Sequence, residues 1–147
     1  MRILGLDLGE KRIGVALSDP LGWTAQGLQV IPVSGSLENS IASIQRIARQ
    51  YEVERVIVGL PRNMDGSLSP VAKKIKEFAG LLSKRLGIPV EMYDERLTTR
   101  AAERVLLEAD LSRSRRRKVI DKMAAVFILQ GYLDALALKD KNENRLD

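Results

Sequence analysis

Two short apolar runs open the chain, residues 2–8 (RILGLDL) and 12–18 (RIGVALS), and only Gly9, Glu10 and Lys11 separate them. So short a gap joins two strands as a β-hairpin and makes them antiparallel neighbours. In the first strand Ile3, Gly5 and Asp7 share one face while Leu4, Leu6 and Leu8 share the other. In the second, Ile13, Val15 and Leu17 alternate with Gly14, Ala16 and Ser18. The small residues on one face of each strand leave room for close approach by a helix, a second backbone or a ligand. Asp7 breaks the apolar pattern: a carboxylate at the end of a strand that reads as buried is costly unless something pairs with it or it coordinates an ion.

A third strand is expected over 24–32, after the turn Asp19-Pro20-Leu21-Gly22. Ser36 is a candidate N-cap for a helix whose apolar stripe is Leu37, Ile41, Ile44, Ala48 and Tyr51. The β-branched run 55–59 (RVIVG) reads as a buried parallel strand, and this alternation of helix and strand is an α/β signal. A loop rich in turn formers, GLPRNMDGS (59–67), precedes Ser69-Pro70, which read as N-cap and first helical position. Val71, Ile75, Phe78 and Leu82 mark that helix, which should end near Gly87. A fifth strand over 88–93 runs into Asp94-Glu95-Arg96. Thr98 or Thr99 would cap a further helix carrying Ala102, Val105, Leu106 and Ala109. The basic stretch is expected as a loop leading into a long helix over 116–138, with Asp121, Ala125, Ile128 and Tyr132 on one stripe. One domain over 1–138 and a charged, frayed tail over 139–147 complete the expectation.

Of the 147 residues 45% are apolar, enough to close one core without covalent staples. No run approaches the roughly 18 apolar residues of a membrane span, and the chain enters a strand directly instead of a signal peptide. A soluble, cytoplasmic protein without a membrane partner is the expectation. Histidine and cysteine are both absent, which removes disulfides, thiolate nucleophiles, Ser-His pairs and His/Cys zinc sites. A metal would need oxygen ligands, which points to Mg²⁺ or Mn²⁺, with Ca²⁺ also compatible.

The net charge of +5 is localised. Residues 111–122 (LSRSRRRKVIDK) hold six Lys/Arg against one acid, so the remainder of the chain is neutral. Most charge runs are solvated faces; this one also suits a phosphate clamp next to Asp121. Three acids stand out: Asp7, Glu95 just past strand five, and Asp121 on the stripe of the last helix. Ligands gather at the carboxyl ends of parallel strands. Clustered carboxylates repel unless a divalent cation binds them, and hard cations there could activate a water and stabilise the departing oxygen of a phosphodiester. Each acid also has a plain reading: Asp7 as a turn acid, Glu95 paired with Arg96, Asp121 favouring a helix N-terminus. Asn63 and backbone amides of 59–67 could line the same site.

GLDLGEKRIGVALSD (5–19), GLPRNMDGS (59–67), DERLTT (94–99) and KVIDKMAAVFIL (118–129) together resemble the YqgF family, also called RuvX, of Holliday junction resolvases and pre-16S rRNA nucleases. The resemblance implies an RNase H-like α/β fold: a mixed five-stranded sheet whose first three strands are antiparallel, flanked by helices. It also implies a metal-dependent endonuclease, with Asp7, Glu95 and Asp121 as catalytic metal ligands and Asp94 as an auxiliary one. Lys11, Arg12, Asn63, Arg96, Arg113, Arg115, Arg116, Arg117 and Lys118 would then contact nucleic acid, either precursor ribosomal RNA or branched DNA. A monomer or a dimer would serve. Two other readings stand: a nucleic-acid-binding module without catalysis, and an actin-like ATP-binding domain, for which 147 residues leave no room for a second lobe. An aromatic content of 4% favours recognition of the backbone over recognition of unstacked bases.

Overall fold

The computed structural model describes residues 1–33, 35–61, 69–94 and 113–146, with side chains described for 122–140 of the last helix. Five strands, β1 (Arg2–Leu8), β2 (Arg12–Ser18), β3 (Ala25–Pro32), β4 (Val53–Leu60) and β5 (Val90–Asp94), form one sheet in the order β3-β2-β1-β4-β5. The first three are antiparallel in sequence, and β4 and β5 run parallel to β1. Three helices are described: α1 (Leu37–Gln50), α2 (Pro70–Leu86) and α3 (Arg113–Leu146). The helix expected over 98–109 lies outside the described residues.

Strand alternation sorts the apolar side chains into two layers. Leu4, Leu6, Ile13, Val15, Leu17, Val56, Val58 and Leu60 pack with α1 and α2 on one face. Ile3, Ala16 and Ile57 pack with Ala125, Ile128, Leu129 and Leu133 of α3 on the other. The central strands are thus buried on both sides, which is why β4 reads as an almost continuous β-branched run. In the chain α1 connects β3 to β4 and α2 connects β4 to β5.

The small-residue face holds a helix. Gly5 pairs with Ala16, and Ala16 with Gly27, so the three form a row across β1, β2 and β3. A Cβ on Gly5 would lie 2.7 Å from the Leu129 Cβ and 3.2 Å from the Ala125 carbonyl oxygen, and one on Gly27 would touch Lys122 and Val126. The hairpin turns tightly, with Gly9 N–H donating to the Arg12 carbonyl at 2.9 Å. In the β2–β3 turn the Asp19 carboxylate accepts from Trp23 N–H (2.6 Å) and Thr24 N–H (3.1 Å). The Thr24 amide is the main reason its carboxyl titrates below the usual range.

Several expectations need correction. Ser36 occupies the N-cap position of α1, but its side chain makes no capping bond; its carbonyl accepts from Asn39 N–H instead. Ser69 does cap α2, accepting from Ala72 N–H at 3.2 Å, and Gly87 ends that helix in the left-handed region. Leu37 and Val71 are about half exposed, although both belong to the predicted apolar stripes. Each sits in the first turn of its helix, and Ser40, Ile47 and Ala72 are buried as well as the stripe residues further along. The last helix runs from Arg113 to Leu146, where it was expected over 116–138.

Two glycine substitutions should move stability in opposite directions. Gly5→Ala forces a Cβ into the α3 contact and should cost about 1–3 kcal/mol by overpacking. Gly80 lies inside α2 with nothing within 4 Å of an added Cβ, so Gly80→Ala should gain about 0.5–1 kcal/mol from helix propensity. Urea denaturation midpoints read both; equal midpoints for the two variants would contradict this packing.

Candidate active site at the carboxyl edge of the sheet

β1, β4 and β5 are parallel, so Leu8, Leu60 and Asp94 end on the same edge. Asp7 reaches that edge from the central strand, half-buried and opposite Gly14 of β2. It shares its face with Ile3 and Gly5, the face covered by α3.

The direction of α3 follows from its contacts. Gln130 accepts from Ala25 N–H (2.9 Å) at the start of β3, whereas Lys122 and Val126 flank Gly27, two residues further along. The helix therefore runs antiparallel to β1 and β3, with its amino-terminal part toward the carboxyl edge. From Ala125, which meets Gly5, back to Asp121 is about 6 Å along a helix; from Gly5 to Asp7 is about 6.6 Å along a strand. Both steps go the same way, so backbone position 121 stands over the Asp7 end of β1.

Asp94 closes β5 opposite Leu60. Leu60 packs in the α1/α2 layer, so the pleat assigns Asp94 to the face away from Asp7. Lys11 is exposed at the hairpin tip and Arg12 half-buried at the start of β2. Asp7, Arg12 and Asp94 are each engaged in interactions. Arg113, Arg115, Arg116, Arg117 and Lys118 lie in the first turns of α3, on the backbone segment that leads to Asp121. Glu95, Arg96 and Asn63 lie outside the described residues. Among the described residues no three Asp, Glu, His or Cys side chains converge on a metal-sized site, and of the three expected acids only Asp7 has its side chain described.

The middle of α3 is clipped to the sheet by residues that the sequence did not single out as a set. Arg55 of β4 donates to the Tyr132 hydroxyl (2.6 Å), and that hydroxyl donates to Glu91 of β5 (3.0 Å). Burial raises the Tyr132 phenol above its usual range; the hydrogen bond with Tyr132 does the same for the Arg55 guanidinium. A Cβ on Gly131 would come within 2.7 Å of the Tyr93 hydroxyl oxygen, so glycine there lets α3 pass over β5. Helical spacing finds Tyr132 as a stripe residue, but pairing it with Arg55 and Glu91 requires the sheet order.

The sheet order, the helices on both faces and an acid at the end of the central strand define an RNase H-like α/β domain. The profile of the RuvX family, described as Holliday junction resolvase, matches residues 1–135. The chain belongs to that family. A protein of Pelotomaculum thermopropionicum is 62% identical over 135 residues, covering 92% of this chain and 88% of its own. One from Symbiobacterium thermophilum is 62% identical over 139 residues, covering 95% and 96%. Both carry the name "Putative pre-16S rRNA nuclease". Among solved structures, Thermus thermophilus RuvC in complex with a Holliday junction substrate superposes with a TM-score of 0.61 at 18% identity, covering 93% of this chain and 96% of that one. No described helix is long and apolar enough to cross a membrane.

Tyr132→Phe removes the bridging hydroxyl and should cost about 1 kcal/mol. Because the folded phenol titrates above its unfolded value near ~10, its contribution is full below that pH and is lost as pH rises through the folded value. Wild type should therefore lose more stability than the variant between pH 9 and 11; parallel denaturation curves over that range would show that the phenol is not shifted by the fold.

Proposed function

We propose that this chain is a metal-dependent endonuclease that hydrolyses phosphodiester bonds, with the 5′ end of the 16S rRNA precursor as its substrate. Membership of a family whose relatives bear nuclease names supports this reading. The observation that carries it is the convergence of Asp7 and backbone position 121 at one edge of the sheet, next to the basic start of α3.

Asp7, Glu95 and Asp121 would hold the cation, with Asp94 on the neighbouring face as an auxiliary group. The donors are all carboxylate oxygens in a chain without histidine or cysteine, and that set suits Mg²⁺ or Mn²⁺. Such an ion, when bound, offers Lewis-acid stabilisation of charge on the phosphate. Asp7 sits on a strand paired on both sides, so its backbone is fixed before substrate arrives. Lys11, Arg12, Arg96, Asn63 and the 113–118 run would orient the backbone. Cations at a helix amino terminus oppose the helix dipole, and α3 has no acid in its first turn. Helix stability thus does not explain Arg113 to Lys118, whereas binding of a polyanion does.

The family description and the junction-bound neighbour favour a second substrate, the four-way DNA junction, whose resolution needs two sites and hence a dimer. Cleavage of precursor rRNA and of synthetic junctions in Mn²⁺ should be compared for wild type and Asp7→Asn. The variant should retain its circular dichroism spectrum and lose about a thousandfold or more in rate, ~4 kcal/mol of barrier. Wild-type rates in the variant would remove Asp7 from the mechanism; cleavage of junctions alone would select the resolvase.

A further inference from the structure

On the face of the sheet away from α3, a slot of about 290 Å³ opens between the β1–β2 turn and the amino ends of α1 and α2. This is the lower end of the size range for small-molecule sites. Leu8, the chain neighbour of Asp7, forms part of its wall on the opposite face of β1, so the slot and Asp7 lie on either side of the same edge of the sheet. Buried Phe78 lines it, as do Leu37 and Val71, which are 48% and 50% exposed.

Ser40 also lines the slot and is only 4% exposed. Its hydroxyl has no hydrogen-bond partner among the described residues, although Ser18, the other buried serine, accepts from Ile3 N–H at 2.8 Å. A buried hydroxyl without a partner is unfavourable, and here it borders an apolar slot with room for a ligand. Among the described lining residues the charged ones are Glu10 and Lys74, both exposed and opposite in sign. A flat, neutral ring with a polar edge matches both the apolar walls and the Ser40 hydroxyl.

We infer that this slot receives one unstacked nucleobase of the nucleic-acid substrate, from a nucleotide close to the phosphodiester at Asp7, with Ser40 hydrogen-bonding the base edge. The inference rests on the nuclease reading for the identity of the strand. It supplies a base contact that the low aromatic content did not lead us to expect: the base is enclosed in a slot instead of stacked on an exposed aromatic platform.

The test is equilibrium binding, without added metal, of a short single-stranded RNA carrying an abasic nucleotide at each position in turn, with a DNA strand of the same sequence as a second arm. Wild type should lose about tenfold in affinity at one position, as expected for one base contact. Val71→Phe, which narrows the mouth from an exposed position, and Ser40→Val, which removes the hydroxyl at similar volume, should weaken binding of the intact strand. Neither should weaken binding of the strand that is abasic at that position. Uniform affinity across the abasic series, intact-strand binding by both variants equal to wild type, or no strand binding at all would overturn the inference. So would saturation of the slot by a nucleoside 5′-monophosphate that leaves strand binding unchanged. Cleavage is scored separately: position-dependent binding without cleavage sinks the nuclease reading and keeps the slot, and cleavage without position dependence does the reverse.

Discussion

The contact of α3 with the row Gly5, Ala16 and Gly27 is the constraint on which this structure depends. A helix seated on ordinary β-branched residues would stand further from the sheet, and its register along β1 would be free to vary. Here the Ala125 carbonyl and the Leu129 side chain come so close to Gly5 that even one methyl group there has no room. That contact fixes the height of α3. The clip from Tyr132 to Arg55 and Glu91, together with Gln130 at the start of β3, fixes its direction and rotation.

Rigidity in the middle of α3 serves its amino end. The stretch from Ala125 to Leu133 is bound into the smaller core, while the amino end carries the basic run to the edge where β1 and β4 stop. The charge that makes the protein basic is thereby gathered at the one edge where an acid from the central strand also emerges. Attraction of a polyanion and positioning of its backbone against carboxylates are then two results of a single helix placement.

Much of the fold was legible in the sequence because its signals are local. Alternation in β1 and β2 identified both faces, the Ser69-Pro70 start and Gly87 end framed α2, and the α/β alternation implied parallel pairing of β4 and β5. Leu37 and Val71 were misassigned because helical periodicity selects a face of a helix but not how much of that face is covered. The start of α3 was placed at 116 instead of Arg113 because a cluster of like charges at a helix start opposes local helix formation, and packing further along α3 overrides that preference.

The sequence by itself determined the residue types available for chemistry: oxygen donors without histidine or cysteine, one localised excess of positive charge, and an acid at the end of the first strand. These are properties of composition and order, which folding does not alter. Only the tertiary structure decided which of them meet. The sheet order put Asp7 on the face beneath α3 and Asp94 on the other, the glycine row drew position 121 over the edge, and the amino ends of α1 and α2 left a slot beside Leu8 lined by a buried hydroxyl with no hydrogen-bond partner among the described residues. Such juxtapositions depend on pairing between residues far apart in the chain, and periodicity along a single strand or helix carries no record of them.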